Sequence, residues 1–132
     1  MVKALVGIAD GSEDIEAVSI IDTLRRGGVD VTVASVMDNL TITCANGTKI
    51  TADAMIADCT DTEWDAVIAP GGMPGAEHLS ADETFIALMN KQLAAGKVAA
   101  AICASPAVVM AKHGMLKGKK ATCYPGFEDQ LG

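Results

Sequence analysis

One cysteine of this 132-residue chain stands where a strand is predicted to turn directly into a helix. Cys103 follows the small or branched apolar residues 98–102, which predict a buried strand, and a helical pattern begins almost at once after it. Such a turn projects the sulfur beyond the strand end, toward the amides that begin the helix. Because those amides carry partial positive charge, we expect a thiol with a lowered pKa. The alternative is a buried structural cysteine, the commonest fate of a free thiol.

Two other segments carry groups that suit thiol chemistry. Glu16 lies in the first turn of a predicted helix, where its carboxyl would compete with Cys103 for ionisation and, when protonated, could donate a hydrogen bond. Gly71 and Gly72 allow close backbone approach, and their amides could hold an oxyanion together with that of Ala104. The alternatives are a glutamate that complements the helix dipole and a plain glycine turn.

Three further side chains are candidates on position alone. His78 follows the glycine-rich corner and could reach the pocket, and Ser105 flanks the cysteine turn, where only small side chains fit. His113 is predicted to stabilise carbonyls at a helix C-terminus instead. The four cysteines have no CxxC spacing and no histidine at ligand spacing, and no dinucleotide fingerprint occurs. We therefore expect neither a metal nor a cofactor.

The elements that must position these residues alternate between strand and helix. Ser12 is predicted to cap the first helix, and Asn46-Gly47 predicts a hairpin turn. In chain order we expect strands at 3–9 and 29–36 around a helix ending at 27–28, a hairpin over 41–51, a strand at 64–70, a helix at 81–95, the cysteine strand and its helix to 113, and one more strand at 119–124. This alternation is typical of an α/β, doubly wound, mostly parallel sheet in one domain.

Composition restricts the partners of the protein. Half of the residues are hydrophobic but only 3% are aromatic, which suits a parallel sheet packed with small aliphatic side chains. A net charge of −7 argues against binding to nucleic acid and to anionic membranes. No apolar run is long enough for a signal segment or a membrane span, and we expect a reducing, cytoplasmic location.

The predicted helices are too few for the sheet. About three helices accompany five or so core strands, whereas both faces of a parallel sheet need cover. We therefore expect residues 1–132 to form a single domain whose C-terminal part is missing from this chain.

Three motifs, in this order, resemble the ThiJ/PfpI superfamily and its DJ-1 branch. They are Gly11-Ser-Glu-Asp-Ile-Glu16, Asp65-Ala-Val-Ile-Ala-Pro-Gly-Gly-Met-Pro-Gly75 and Ala100-Ala-Ile-Cys-Ala-Ser-Pro106. The resemblance runs the length of the chain and implies a flavodoxin-like sandwich and a homodimer. It also implies a reactive Cys103 paired with a protonated Glu16, and an oxyanion site at Gly72 and Ala104.

Two positions depart from this pattern. Ala104 follows the cysteine where the protease-like and chaperone branches carry a histidine, which argues against a Cys-His-acid protease. Tyr124 precedes Pro125 where DJ-1-branch members often place a histidine, so a general base would be Glu16, His78, water or a residue absent from this chain. Family members also continue for several tens of residues, so we consider nicking at an exposed loop, with the remainder retained as a second fragment.

Two functions follow from these residues and the resemblance. The first is a stress-protective enzyme that acts without glutathione on dicarbonyls such as methylglyoxal, or removes early glycation adducts, with Cys103 as nucleophile and Glu16 as proton shuttle. The second is a non-enzymatic peroxide sensor or chaperone that uses oxidation of Cys103. Repeated turnover would distinguish an enzyme from a sensor.

Overall fold

A five-stranded, wholly parallel sheet forms the centre of the computed structural model, which describes residues 1–132. The strand order is β5–β2–β1–β6–β7, with a separate hairpin β3–β4. The bounds are β1 Lys3–Ile8, α1 Asp14–Arg26, β2 Asp30–Ser35, β3 Thr41–Thr43, β4 Lys49–Thr51, β5 Ala54–Met55, β6 Ala66–Ala69, α2 Gly75–Ala81, α3 Glu83–Ala94 and β7 Val98–Ala101. The predicted α/β, flavodoxin-like architecture is confirmed.

The first βαβ unit forms as the sequence predicts, except at its helix cap. β1 and β2 pair in parallel from Lys3 opposite Asp30 onward. Ser12 does not cap α1: its hydroxyl accepts the Ala9 N–H at 3.0 Å inside the buried turn between β1 and α1. Glu13 takes the cap position, and its carboxylate accepts the Ile15 N–H at 3.4 Å. Ser12 therefore closes the turn, which places the start of α1 over the end of β1.

The strand order brings three loops to one edge of the sheet. β1 lies between β2 and β6, and β7 pairs with β6, so the carboxyl ends of β1, β6 and β7 are adjacent. The segments that follow these strands carry Glu16, the glycines 71–72 and Cys103 respectively. Ligands of open parallel sheets bind at this edge, where neighbouring strands lead to opposite faces.

Two apolar clusters pack on the two faces of the sheet. On one face, α2, α3 and the turn after β7 enclose eighteen buried residues, among them Leu5, Phe85 and Met89. On the other, α1 and the hairpin enclose ten, among them Val6 and Ile42. The single tryptophan, Trp64, is buried in the first cluster, and its indole N–H donates to the Cys59 carbonyl at 2.9 Å.

The predicted hairpin is confirmed and is tied to the loop that leads into α1. Both carboxylate oxygens of Asp14 accept backbone N–H groups of the hairpin turn, from Asn46 at 2.8 Å and Thr48 at 3.0 Å. The hydrogen bond from the Thr48 side chain, followed by these backbone bonds, lowers the pKa of Asp14 to about 2. Gly11 N–H also donates to the Thr43 carbonyl at 2.9 Å. The hairpin thereby fixes the segment that ends in Glu16.

The structure differs from the predicted elements in three places. Helix α2 was not predicted, whereas the helix predicted at 81–95 is confirmed as α3, which Asp82 caps by accepting the Phe85 N–H at 2.8 Å. No strand forms over 119–124; Tyr124 N–H instead donates to the Cys103 carbonyl at 2.7 Å. The short edge strand β5 was not predicted. None of the helices is both long and apolar enough to cross a membrane.

One half of the α1 face has no covering helix. β7 is an edge strand, and a groove of about 450 Å³ runs between α1 and strands β6 and β7. Ile20, Leu24, Ile68 and Ala100 line this groove, together with Ile102, whose side chain is exposed. As expected from the small number of predicted helices, this apolar part of the sheet has no helix packed on it.

Candidate active site

Cys103 occupies a sharp turn at the end of β7. It is the one non-glycine residue with a positive φ, at 62°. Such a conformation costs roughly 1–3 kcal/mol and persists only where the surrounding structure imposes it. The segment after it turns at once, through a π-helical stretch over Pro106–Met110 and a 3₁₀ turn over Ala111–His113, to Gly114 in the left-handed region. The elbow geometry predicted for this cysteine is therefore present.

Glu16 meets Cys103 at this turn. It projects from the first turn of α1, and its carboxyl lies beside Cys103, since a Cβ built on Gly71 would be 2.6 Å from both Glu16 Oε1 and the Cys103 Cβ. Its Oε1 also accepts the Gly71 N–H at 2.9 Å. Both side chains are partly buried. Three residues that are distant in sequence, Glu16, Gly71 and Cys103, thus form one connected group.

The expected lowering of the Cys103 pKa is wrong for this structure. Burial, and then the neighbouring Glu16 carboxyl, raise the pKa of the thiol above its ordinary value, against one lowering interaction with the Ala104 N–H. The helical segment after the turn, Pro106–Met110 continued by Ala111–His113, does not outweigh these effects. The surroundings of the thiol, Glu16 among them, therefore favour its protonated form.

The two glycines fit against the cysteine and against the start of α1. A Cβ on Gly71 would lie 2.6 Å from the Cys103 Cβ and 2.6 Å from Glu16 Oε1. Gly72 has a φ of 93°, and a Cβ there would lie 2.3 Å from the Glu13 nitrogen. No larger residue fits at either position without displacing the neighbouring backbone or the Cys103–Glu16 pair.

The three amides predicted to hold an oxyanion differ in their partners. The Gly71 N–H is occupied by Glu16, so it is not free for a substrate. The Ala104 N–H is directed at the Cys103 sulfur. The Gly72 N–H donates to no backbone carbonyl or side chain. Of the three, the Gly72 N–H has no partner and the Ala104 N–H is the one directed at the thiol.

The other candidate side chains have different surroundings. Ser105 is fully buried, and its hydroxyl donates to the Pro70 carbonyl at 2.6 Å, so it faces the protein rather than a substrate. His78 lies half-buried on α2 and its side chain forms no hydrogen bond. His113 contacts Ser80 through Nε2, at 2.9 Å from the carbonyl and 3.1 Å from the hydroxyl. Neither histidine hydrogen-bonds with Cys103.

A cavity of about 480 Å³ opens from the same two loops. Met73, which follows the glycine pair, and Ala107 and Val108, which follow the elbow, form part of its wall, and Glu77 and Lys112 supply charge. Sequence reasoning did not find this cavity, nor the Tyr124 N–H that holds the Cys103 carbonyl. Both depend on where the segment after Gly114 folds back, and no local pattern reports that.

Comparison with known proteins identifies the family. The sequence profile described as the DJ-1/PfpI family matches residues 2–132. Protein DJ-1 homolog B of Arabidopsis thaliana is 45% identical over 129 residues, which cover 98% of this chain and 30% of that protein. A deglycase of Pyrococcus horikoshii is 31% identical over 129 residues, covering 98% of this chain and 76% of that protein. This chain belongs to the DJ-1/PfpI family.

Solved structures agree with the fold. The structure of oxidised Toxoplasma gondii DJ-1 superposes with a TM-score of 0.98 at 48% identity, covering 100% of this chain and 72% of that one. The chain spans about a third of the Arabidopsis relative, 30% of its length, and a larger share of the Toxoplasma protein.

Proposed function

We propose that this member of the DJ-1/PfpI family is a cysteine-dependent enzyme that converts reactive dicarbonyls, or their early adducts on proteins, to hydroxy acids without glutathione. The observation that carries the proposal is the juxtaposition of the Cys103 thiol and the Glu16 carboxyl at a strained elbow. A nucleophile with an adjacent proton-transfer group is what covalent carbonyl chemistry requires. The relative named deglycase supports the same class of reaction.

The reaction begins with addition of sulfur to an aldehyde. In methylglyoxal, Cys103 Sγ bonds to the aldehyde carbon, and the carbonyl oxygen takes a proton to give a hemithioacetal. Glu16 then moves a proton from that carbon to the neighbouring ketone carbon through an enediol, which leaves a lactoyl thioester. Water hydrolyses the thioester, releasing lactate and restoring the thiol. No net oxidation occurs, because one carbon is oxidised as its neighbour is reduced.

The backbone around the pair suits the charge that develops in this sequence. Oxygen becomes negative when sulfur adds to the aldehyde and again when water attacks the thioester. We assign the Gly72 and Ala104 amides as the donors to that oxygen, because the Gly72 N–H has no partner and the Ala104 N–H is directed at the sulfur. Loss of one such donor typically reduces kcat by about 10²–10³. We also keep His78 as a candidate group for exchanging protons between the site and water.

The test is steady-state consumption of methylglyoxal and formation of lactate in the absence of glutathione. Cys103→Ser should abolish turnover, whereas Cys123→Ser, at a partly buried cysteine outside the pair, should leave it unchanged. Glu16→Gln should retain a reactive thiol and lose turnover. An active Cys103→Ser variant, or a wild type that makes less than one lactate per chain, would refute the enzyme proposal.

Oxidation of the same cysteine supports a second candidate, a peroxide sensor. The Toxoplasma gondii DJ-1 structure described above was solved in an oxidised form. In this chain, peroxide would convert the Cys103 thiolate to a sulfenate and then a sulfinate, releasing water, and a protonated Glu16 would donate to a sulfinate oxygen. A thiol that is oxidised once by peroxide, in a protein without dicarbonyl turnover, would favour this function.

Two assembly proposals accompany the function. Ile15, 75% exposed, and Val18, 46% exposed, give α1 an apolar outer surface that suits a homodimer. The open face along β7 suits a further polypeptide segment, such as a C-terminal fragment retained after cleavage, since the Toxoplasma relative contains more chain than this one matches. Native mass spectrometry tests both: two copies support the dimer, and a single 13.5 kDa species with no companion peptide rules out the retained fragment.

The cellular location is also a proposal. The proposed chemistry requires Cys103 as a free thiol, which reducing compartments maintain. We therefore place the protein in the cytoplasm.

A further inference from the structure

One peptide group joins the two sides of the site. The Pro70 carbonyl accepts the Ser105 hydroxyl at 2.6 Å, and the N–H of the same peptide, on Gly71, donates to Glu16 Oε1 at 2.9 Å. Glu16 lies in turn beside Cys103, which precedes Ser105 by two residues. The two hydrogen bonds, the Glu16–Cys103 pair and the short stretch of backbone between Cys103 and Ser105 close a ring.

We propose that Ser105 is a positioning residue that sets the orientation of Glu16 toward Cys103 through the Pro70–Gly71 peptide group. A peptide group is planar, so a hydrogen bond that fixes the direction of its carbonyl also fixes the direction of its N–H. A hydrogen bond to the carbonyl also polarises the group and strengthens the N–H as a donor, by about 10–30% in condensed-phase estimates. Both effects act on the bond that holds Glu16.

Because the Ser105 hydroxyl is buried, no water can replace it as the donor to the Pro70 carbonyl. Ser105 is 0% exposed, and Pro70 is likewise fully buried, so water does not reach the bond between them. The Pro70 carbonyl is the single partner of the Ser105 hydroxyl, and no other donor contacts that carbonyl. Alanine or glycine at position 105 would therefore leave a buried carbonyl without a donor.

The experiment measures the rate at which iodoacetamide alkylates Cys103 as a function of pH, with mass spectrometry separating it from the other cysteines. In Ser105→Ala, a loosened Glu16 should withdraw from the thiol, and the midpoint of the profile should move to lower pH. We expect about a two- to three-fold larger thiolate fraction at pH 7. A merely loosened fold would raise alkylation at every pH and leave the midpoint in place.

Three variants make the readout specific. Ser80→Ala removes another buried hydroxyl, one that contacts His113 at 3.1 Å, and should leave the midpoint unchanged. Ser105→Thr keeps a hydroxyl and should restore the wild-type profile. In a Glu16→Gln background, Ser105→Ala should cause no further shift, because the group through which it acts has been replaced.

The proposal is overturned if the Ser105→Ala midpoint equals that of wild type, if Ser80→Ala shifts the midpoint by the same amount, or if the shift persists in the Glu16→Gln background. Ser105→Gly removes the same hydroxyl and serves as the second variant if the alanine protein does not fold. The inference rests on the proposed function only for the chemistry assigned to Cys103. Because alkylation needs no dicarbonyl, absent lactate formation would count against that function and leave this test intact.

Discussion

Replacing Gly71 by alanine should separate the reacting pair, Cys103 and Glu16. The added Cβ would lie 2.6 Å from the Cys103 Cβ and 2.6 Å from Glu16 Oε1, whereas ordinary van der Waals contact begins at 3.4 Å. Each neighbour must therefore move by about 0.8 Å, close to the ~1 Å misplacement that can cost 10²-fold in rate. The third close atom, the Ile102 carbonyl at 3.0 Å, belongs to the backbone and restricts escape in that direction.

We therefore expect kcat/KM for methylglyoxal to fall about 100-fold, equivalent to about 2.7 kcal/mol in the transition state. Overpacking should also reduce the free energy of unfolding by about 1–3 kcal/mol. Lactate formation measures the first effect, and urea titration, followed by circular dichroism, measures the second. Gly27→Ala is the matched control, because its added Cβ meets only carbonyl oxygens at 3.4 and 3.6 Å on an exposed helix end.

The result that refutes this reasoning is a folded Gly71→Ala protein whose kcat/KM stays within about two-fold of wild type. The close approach of glycine to the pair would then have no role in catalysis. An equal loss of activity in Gly27→Ala would also contradict it, since that variant leaves the site untouched.

The remaining predictions concern stability. Phe85→Ala, at a fully buried ring, should reduce the free energy of unfolding by about 3–5 kcal/mol in urea titration. Gly72→Ala, with φ at 93° and a Cβ 2.3 Å from backbone nitrogen, should destabilise at least as much as Gly71→Ala in the same titration. Asp14 has its pKa lowered to about 2, so it stabilises the hairpin above pH 4 and loses that effect as pH falls toward 2; Asp14→Asn should flatten this part of the stability profile. Burial raises the pKa of Cys44 and Cys59, so the unfolded chain releases protons first and urea midpoints should fall as pH rises above about 9.

Patterns of apolar residues and turn signals were sufficient to predict the central strands, helix α1 and the hairpin from the sequence. The strands around α1 and the Asn46-Gly47 hairpin follow from local periodicity, and the structure confirms them. Helix α2 was missed because it begins at Pro74-Gly75, residues that usually end helices, and contacts with the first βα loop hold it there. The strand predicted at 119–124 did not form, since nothing in its composition shows that the Tyr124 N–H pairs with the elbow instead.

The site shows the same division between local and distant information. The turn at Cys103 could be predicted because it depends on adjacent residues. The direction of its pKa shift could not, because burial and the Glu16 carboxyl outweigh the amides of the helical segment that follows the turn. The bond from Ser105 to Pro70 spans 35 residues and has no sequence signature. Distances between loops decide the chemistry, and only the folded chain fixes them.

The single tryptophan determines which optical signals this protein can give. Trp64 is 5% exposed and packs with α3, where its carbonyl accepts the Gln92 side-chain N–H at 3.0 Å. Its fluorescence will therefore change when that helix is disrupted. It will not change when a small carbonyl compound binds at Cys103, at the opposite end of the sheet. A fluorescence-based ligand screen would miss true binders, whereas the same emission offers a clean record of global denaturation.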